Sequence, residues 1–226
     1  MDEWPPGTLL GDCEPGVARR LTTLGTLIHR TGPAVLIRVD DPGDHSYLLL
    51  SGVVKVTVPT TAGGTALLAV RVGGELVGEL AALDGRPRSA TVTSAGPITA
   101  RVIAAPDLQR LIAADAPARN AIIGSVVSRL RDEISRRADF SGADVPTRVA
   151  RVLLALAERY GQDGPTGTLI RPALAQPELA TLVDASEPTV QRALRGLREA
   201  GLLSNGYRSF HIHDIGRLRE AAYPPT

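Results

Sequence analysis

The chain of 226 residues carries 25 basic and 24 acidic side chains, for a formal net charge of +1, with 43% hydrophobic residues; this suits two modest soluble domains or one large one. No apolar run approaches the roughly 18 residues of a membrane span. The opening Met1-Asp2-Glu3-Trp4-Pro5-Pro6 lacks the basic and apolar regions of a signal peptide, so the expected location is the cytoplasm, with no membrane partner. Cys13 is the single cysteine, which leaves no internal disulfide and no Cys-ligated zinc or iron–sulfur cluster within one chain, and it reads as a partly buried or incidental thiol.

Charge is nearly even along the chain, slightly acidic before Val145 and slightly basic after it, and Lys55 is the only lysine. From Pro15 to Leu27, the residues Val17, Leu21, Leu24 and Leu27 have helical spacing, which predicts a short helix lying on a sheet. From Ala34 to Val102 the chain reads as strands. Ala34–Val39, Tyr47–Leu50, Val53–Val58, Ala66–Val72, Ala90–Thr93 and Ile98–Ile103 are apolar or β-branched runs. Turns at 41–44, 51–52, 62–64 and 73–74 part them. Many short strands with regular turns predict a β-sandwich or roll closed on an apolar interior. Asp41-Pro42-Gly43-Asp44-His45 reads as a tight turn whose Asp and Gly supply the backbone geometry, with a metal loop as the alternative. Gly73-Gly74-Glu75 and Gly78 lack the strand, loop and long helix of a dinucleotide site.

One stretch breaks the strand series. Gly78-Glu79-Leu80-Ala81-Ala82-Leu83-Asp84-Gly85-Arg86-Pro87-Arg88-Ser89-Ala90-Thr91-Val92 puts a Gly-Glu pair before a short helical run, then an Arg-Ser pair, then a return to strand. The arrangement suits an anionic sugar phosphate. Backbone N–H groups opening the short helix and the fork of Arg88 are donors for phosphate oxygens, while Glu79 can accept from a sugar hydroxyl. Gly78, Glu79, Leu80, Arg88 and Ser89 are the candidate binding residues.

After Pro106 the period is helical to about Arg137. Ile123, Val127, Leu130 and Ile134 are spaced four, three and four, the seam of a coiled coil with charged flanks. It predicts pairing with a second copy of the chain; the alternative is that the stripe packs on its own β-domain. Ser141-Gly142-Ala143 reads as a hinge, followed by a helix with Asp144 as cap, Pro146 in its first turn and Val149, Val152, Leu153, Leu156 and Tyr160 on its apolar face. Gln162 to Gly167 reads as a loop. Pro177-Glu178 then opens a helix burying Leu179, Ala180 and Val183. Asp184-Ala185 is a tight connection, Asp184 tolerating the left-handed region. Ser186 caps a second helix that buries Val190, Ala193, Leu194 and Leu197 and ends at Gly201. This is a helix-turn-helix. Ser204-Asn205-Gly206 reads as the turn of a hairpin between Leu202-Leu203 and Tyr207–His213, a wing, with a last helix from Asp214 to about Ala222. His211 and His213 share a strand face and read as a solvent- or phosphate-facing pair; a metal pair is the alternative. If the second helix enters a major groove, Ser186 and Thr189 can hold phosphates, Arg192 can donate to guanine, Gln191 to adenine, Glu187 can accept from cytosine, and Arg195 extends the basic side.

The motifs Gly43-Asp44…Leu50…Gly52, Gly78 to Val92, the helix from Pro106, Asp144-Val145…Arg148-Val149-Ala150 and Leu179-Ala180…Ser186…Thr189-Val190…Arg192 together resemble the Crp/Fnr family of catabolite-activator and anaerobic-regulator transcription factors over nearly the whole chain. The resemblance implies an α+β fold. Residues 1–105 would form an N-terminal cyclic-nucleotide-binding-type β-roll, 106–143 a long dimerisation helix with its hinge, and 144–226 a C-terminal winged helix-turn-helix. It also implies a homodimer on double-stranded DNA, RNA polymerase as a further partner, and a cyclic nucleotide such as cyclic AMP as effector, repositioning the long helix and with it the two recognition helices. Where cyclic-AMP-binding members carry a Thr-Ser pair that contacts the adenine, an ungapped count places Glu133-Ile134, with Ser128, Asp132 and Ser135 as nearby polar substitutes. A constitutive DNA-binding regulator, with Arg88 and Glu79 paired to each other, is the alternative. No nucleophile–base or metal constellation supports an enzyme.

Overall fold

The computed structural model describes residues 4–61, 63–170, 174–206 and 209–224. They divide into two compact units, Met1–Arg131 and Asp132–Thr226. The opening residues Met1, Asp2 and Glu3, Ala62 in the predicted 62–64 turn and Tyr207 in the predicted wing lie outside the described residues.

The first unit begins with α1 (Leu9–Asp12) and α2 (Pro15–Thr23). Thr8 caps α1 by accepting the Gly11 N–H at 3.1 Å, and Pro15 occupies the first turn of α2, where its missing N–H goes unneeded. The helix expected to reach Leu27 stops at Thr23. From Thr26 the backbone finds antiparallel partners on Ile98–Ala104, and Leu27 becomes part of β1 (Thr26–Arg30). Tertiary pairing overrides the helical spacing of the leucines.

There follow β2 (Val35–Ile37), β3 (His45–Ser51), β4 (Val53–Pro59), β5 (Thr65–Val72), β6 (Leu76–Val77), α3 (Glu79–Asp84), β7 (Thr91–Ser94) and β8 (Ile98–Ala104). The strands expected from sequence are all present, with ends moved by one or two residues. Neither β1 nor the two-residue β6 has an alternation long enough to read. The strands form two antiparallel four-stranded sheets, ordered β1-β8-β3-β6 and β2-β7-β4-β5. Leu49, Val54, Val77, Val92, Ile98 and Ala100 form one buried cluster of this roll. A second joins Leu21, Leu48, Leu76, Ile103, Leu108 and Ile122, tying the helices to the strands. Burying such side chains stabilises by about 1.5–3 kcal/mol each before the entropy of ordering them is subtracted.

The helical stretch after Pro106 is two helices, α4 (Ala105–Ala114) and α5 (Ala116–Phe140). Asp115 divides them with extended backbone at φ −121°, ψ 96°. Its carboxylate accepts the Ala118 N–H at 3.0 Å and meets Arg20, and these two bonds, the backbone one foremost, lower its pKa. Pro117 has no N–H to offer the preceding turn, so a helix starting afresh at Ala116 is the satisfied arrangement. The seam residues Ile123, Val127, Leu130 and Ile134 lie on α5 with 48%, 39%, 59% and 58% of their surfaces exposed. Among the described residues the stripe is therefore exposed rather than buried.

The second unit contains α6 (Val145–Tyr160), β9 (Gly161–Gly164), β10 (Gly167–Ile170), α7 (Gln176–Leu182), α8 (Glu187–Glu199), β11 (Leu203–Gly206), β12 (Ser209–Ile212) and α9 (Ile215–Ala222). Gln162 to Gly167, expected as a loop, is mostly a hairpin: β9 and β10 pair from Gly161↔Ile170 to Gly164↔Gly167. Together with the wing they make a sheet ordered β11-β12-β10-β9. The wing is present, but Ser204-Asn205-Gly206 lies in β11 rather than in its turn, because Gly206 pairs with Ser209. Val149, Leu153, Leu179, Val190, Leu194, Phe210, Ile212 and Leu218 are all at 2% exposure or less, a core to which every helix of the motif and the wing contributes.

Asp144 accepts the Thr147 N–H at 2.9 Å and starts α6. Hydrogen bonds from Thr147, side chain first and backbone next, hold its carboxyl below the ordinary value. A lowered pKa means that the cap stabilises above the unfolded-state pKa and loses its effect as pH falls through the folded one. Asp144→Ala is expected to cost about 1 kcal/mol near neutral pH, a penalty that shrinks as pH drops below about 4; calorimetric melts across pH check both the size and the trend.

Candidate functional site

The stretch from Gly78 to Val92 runs from the end of β6 through α3 into β7. Gly78 has φ 79° and ψ 7°, and a Cβ placed there would fall 2.5 Å from Ile37 Cδ1 and 2.9 Å from a guanidinium nitrogen of Arg88. Glycine is required twice over, by the left-handed backbone and by the approach of Arg88. Gly43 serves the same end from the opposite turn, where a Cβ would meet Ala81 Cβ at 2.4 Å. The turn at 41–44 and α3 thus close on each other around Arg88.

Arg88 is 3% exposed. Its two terminal nitrogens donate to Gly78 O at 2.8 Å and His45 O at 2.5 Å. Asp44 Oδ1 stands 3.6 Å from the same guanidinium, and that carboxyl is held below its ordinary pKa by its hydrogen bond with His45 first and, more weakly, by the Arg88 charge. The Arg88 backbone is fixed as well: its N–H donates to Asp41 O and its carbonyl accepts from Asp40 N–H, both at 2.9 Å. The Asp-Pro-Gly-Asp-His run is therefore a turn that positions an arginine. Two carbonyls use two of the five guanidinium N–H donors, so capacity remains for an anion.

Glu79, the first residue of α3, is 4% exposed. Arg129 reaches it from α5 with 2.8 Å between the charged atoms, and also donates to Leu76 O at 3.1 Å and Ser125 O at 3.2 Å. Glu79 and Arg88 are thus not paired with each other, which removes the pairing invoked for a constitutive protein; each charge has its own partners, and breaking the buried Glu79–Arg129 pair would leave a carboxylate stranded.

Gly78, Glu79, Leu80, Arg88 and Ser89 surround one cleft of about 570 Å³, counting its solvent-open space, with Arg71 and Arg129 as further charged walls and Val56 and Val92 among the apolar ones. The mixture of an apolar wall with a few converging polar groups is that of a small-molecule site. Arg129 is the α5 residue on the cleft; Ser128, Asp132 and Ser135 are not among its walls, and neither are Glu133 and Ile134. Glu133 is taken up by Arg136 and Arg137, and Asp132 by Arg159. Arg129 was unreadable from sequence because it belongs to a run of charged residues flanking the seam. Arg71 left a faint signal, a single charge inside the apolar run Val70-Arg71-Val72.

In the second unit Asp184 takes φ 51°, the left-handed turn expected between the two helices. Ser186 stands at the head of α8, but its hydroxyl makes no capping bond to the backbone; it pairs with Thr189 Oγ1 at 2.8 Å. Gln191 Nε2 donates to Glu187 Oε1 at 3.2 Å. Ser186, Glu187, Gln191, Arg192 and Arg195 are exposed and Thr189 half-buried, so the candidate DNA-contacting residues share the face of α8 opposite Val190, Ala193, Leu194 and Leu197. His211 and His213 meet edge to face with ring centres 4.8 Å apart, beside Thr166.

Residues 32–115 match the model of the cyclic nucleotide-binding domain, and residues 147–221 that of the Crp-like helix-turn-helix domain. A nucleotide-sensing type of roll followed by a DNA-binding module defines the class of ligand-responsive transcription regulators. The chain is 32% identical to the CRP-like cAMP-activated global transcriptional regulator of Mycobacterium tuberculosis, over 80% of its own length and 81% of that protein. It is 29% identical to the cyclic AMP receptor protein of Thermus thermophilus, over 81% and 82%. The chain belongs to the Crp/Fnr family of transcription regulators. Its fold matches that of CLP, a c-di-GMP responsive regulator of Xanthomonas campestris, with a TM-score of 0.75 at 24% identity over 89% of this chain and 100% of that one. No helix among the described residues is long and apolar enough to cross a membrane.

Arg129→Met is expected to destabilise the first unit by about 3 kcal/mol, the cost of stranding a buried carboxylate. Glu79→Gln added to it recovers most of the loss; urea denaturation of the single and double variants measures both.

Proposed function

We propose that the chain works as a cytoplasmic homodimer that binds DNA through α8 when a cyclic purine nucleotide occupies the cleft of the roll, and that it acts by binding rather than by catalysis. The observation that carries this is the Glu79–Arg129 ion pair, which joins the cleft wall directly to α5. A nucleotide would set its phosphate against the remaining donors of Arg88 and the Ser89 hydroxyl and its ribose hydroxyl against Glu79. A third group entering the Glu79–Arg129 pair changes what holds α5 at that point, and α5 also carries the exposed seam. Binding energy that differs between two settings of α5 is what an effector needs in order to shift a population. The two relatives named for cyclic AMP support a cyclic purine nucleotide as the effector class. The exposed seam supports self-association, since a contiguous apolar stripe on a charged helix is ordinarily covered by a partner. On DNA, Arg192 and Arg195 would read guanine and phosphate, with Glu187 and Gln191 as a bonded pair facing the bases and Ser186 and Thr189 at the backbone. RNA polymerase as a partner rests on the relatives being transcriptional regulators.

The decisive experiment uses an operator selected from random duplexes. Fluorescence anisotropy is expected to show cyclic nucleotide tightening DNA binding at least about ten-fold, a coupling of ordinary size for an allosteric protein, with the response lost in Arg88→Ala. Tight operator binding that ignores nucleotide, together with calorimetry showing none bound, would establish a constitutive regulator instead. Replacing both Leu130 and Ile134 by Asp is expected to leave a monomer in sedimentation velocity while the circular dichroism spectrum stays that of the parent.

A further inference from the structure

Arg71 is a cation on the inner face of an otherwise apolar wall. It stands opposite Val54 in the β4–β5 ladder, and Val54 is a fully buried member of the roll's core cluster. Cross-strand partners share a face, so Arg71 points inward, and it lines the same cleft as Arg88. Its side chain retains 17% exposure, and its Nε lies 3.6 Å from Glu75 Oε1, beyond hydrogen-bond distance. One terminal nitrogen donates to Val70 O at 3.2 Å. Glu75 is itself anchored, its other oxygen accepting the Val72 N–H at 2.8 Å. The arrangement steadies the guanidinium electrostatically without saturating its donors, and a desolvated charge costs stability unless something uses it.

Position along the sheet says what could use it. The strands β7, β4 and β5 are neighbours in that order, with Val56 paired to Val92 on one side and to Ala69 on the other. Arg88 and Ser89 lead into β7, so the phosphate-binding end and the Arg71 strand are separated by two strand spacings, about 10 Å. A nucleotide with its phosphate at Arg88 and its base lying across Val92 and Val56 would direct a base edge at Arg71. Guanine offers two adjacent acceptors, O6 and N7, which a guanidinium fork engages together. Adenine offers N7 beside the N6 amino group, whose hydrogens oppose the arginine donors.

We infer that Arg71 determines base specificity in this cleft and selects guanine, making a 3′,5′-cyclic guanine nucleotide the preferred effector; this rests on the cyclic-nucleotide reading of the site given above. Titration calorimetry on the full chain with cyclic GMP, cyclic AMP and cyclic IMP tests it. Cyclic GMP is expected to bind about ten-fold more tightly than cyclic AMP, within the discrimination of one bidentate arginine pair. Cyclic IMP, which keeps O6 and N7 but lacks the 2-amino group, should follow cyclic GMP. Arg71→Lys keeps a cation beside Glu75 and loses the fork, and with Arg71→Gln it should bring the two affinities within about three-fold of each other, chiefly by weakening cyclic GMP. Thermal melts establish that the variants are folded, and Arg71→Lys decides alone if Arg71→Gln is not. Equal or tighter binding of cyclic AMP by the parent protein, or a guanine preference that survives Arg71→Lys, overturns the assignment while leaving the nucleotide site standing. Binding of none of the three nucleotides overturns both.

Discussion

The ion pair between Glu79 and Arg129 is the contact on which the first unit's organisation turns. A carboxylate at 4% exposure is tolerable only because a guanidinium stands 2.8 Å away, and that guanidinium comes from the helix bearing the exposed seam. One interaction therefore ties the cleft wall to the helix that bears the seam. Ala118 and Ile122 pack α5 into the apolar core of the first unit, and the pair stands on the wall of the cleft. A buried pair of this kind adds little net stability compared with an apolar contact of equal size, and its retention makes physical sense where the charges have a second task.

Arg88 shows the complementary arrangement. Its guanidinium is gripped by two backbone carbonyls, its own backbone by the 41–44 turn, and Gly78 and Gly43 are there because any side chain would collide with what holds it. The cation is preorganised, so an incoming anion need not pay for ordering it. Arg71 on β5 is held more loosely, by an electrostatic neighbour and one carbonyl. The cleft so contains one fixed cation, one cation engaged with an acid, and one with donors to spare, three different roles for one residue type.

On the DNA-binding side the division of labour falls along the two faces of α8. Val190, Ala193, Leu194 and Leu197 are buried against the rest of the unit, and the polar residues occupy the opposite face. The left-handed turn at Asp184 fixes the angle between α7 and α8, and the β9–β10 hairpin, unexpected from its Gly/Pro/Thr composition, completes the wing's sheet. The Glu187–Gln191 bond joins two side chains on that polar face.

Much was legible in the sequence, and the reasons are local. The strands of the roll, the capped helix at Asp144, the left-handed Asp184 and the turn, short helix and strand of Gly78 to Val92 follow from turn chemistry, periodicity and backbone tolerance, which act over a few residues and leave their mark in composition. The end of α2 at Thr23 did not, because it is set by pairing with the distant strand β8, nor did the division at Asp115, where a helix restarts at a single capping carboxylate; the strand character of Ser204–Gly206 and the β9–β10 hairpin are local ladders that a polar, glycine-rich composition does not announce. The same holds at the site. Gly78, Glu79, Leu80, Arg88 and Ser89 lie close together in the chain and could be named from it, whereas Arg71 and Arg129 come to the cleft from β5 and α5. Only the tertiary structure could decide which of 24 acids and 25 bases become partners, since a charge's role is set by what lies within a few ångströms of it and the sequence alone does not specify that distance.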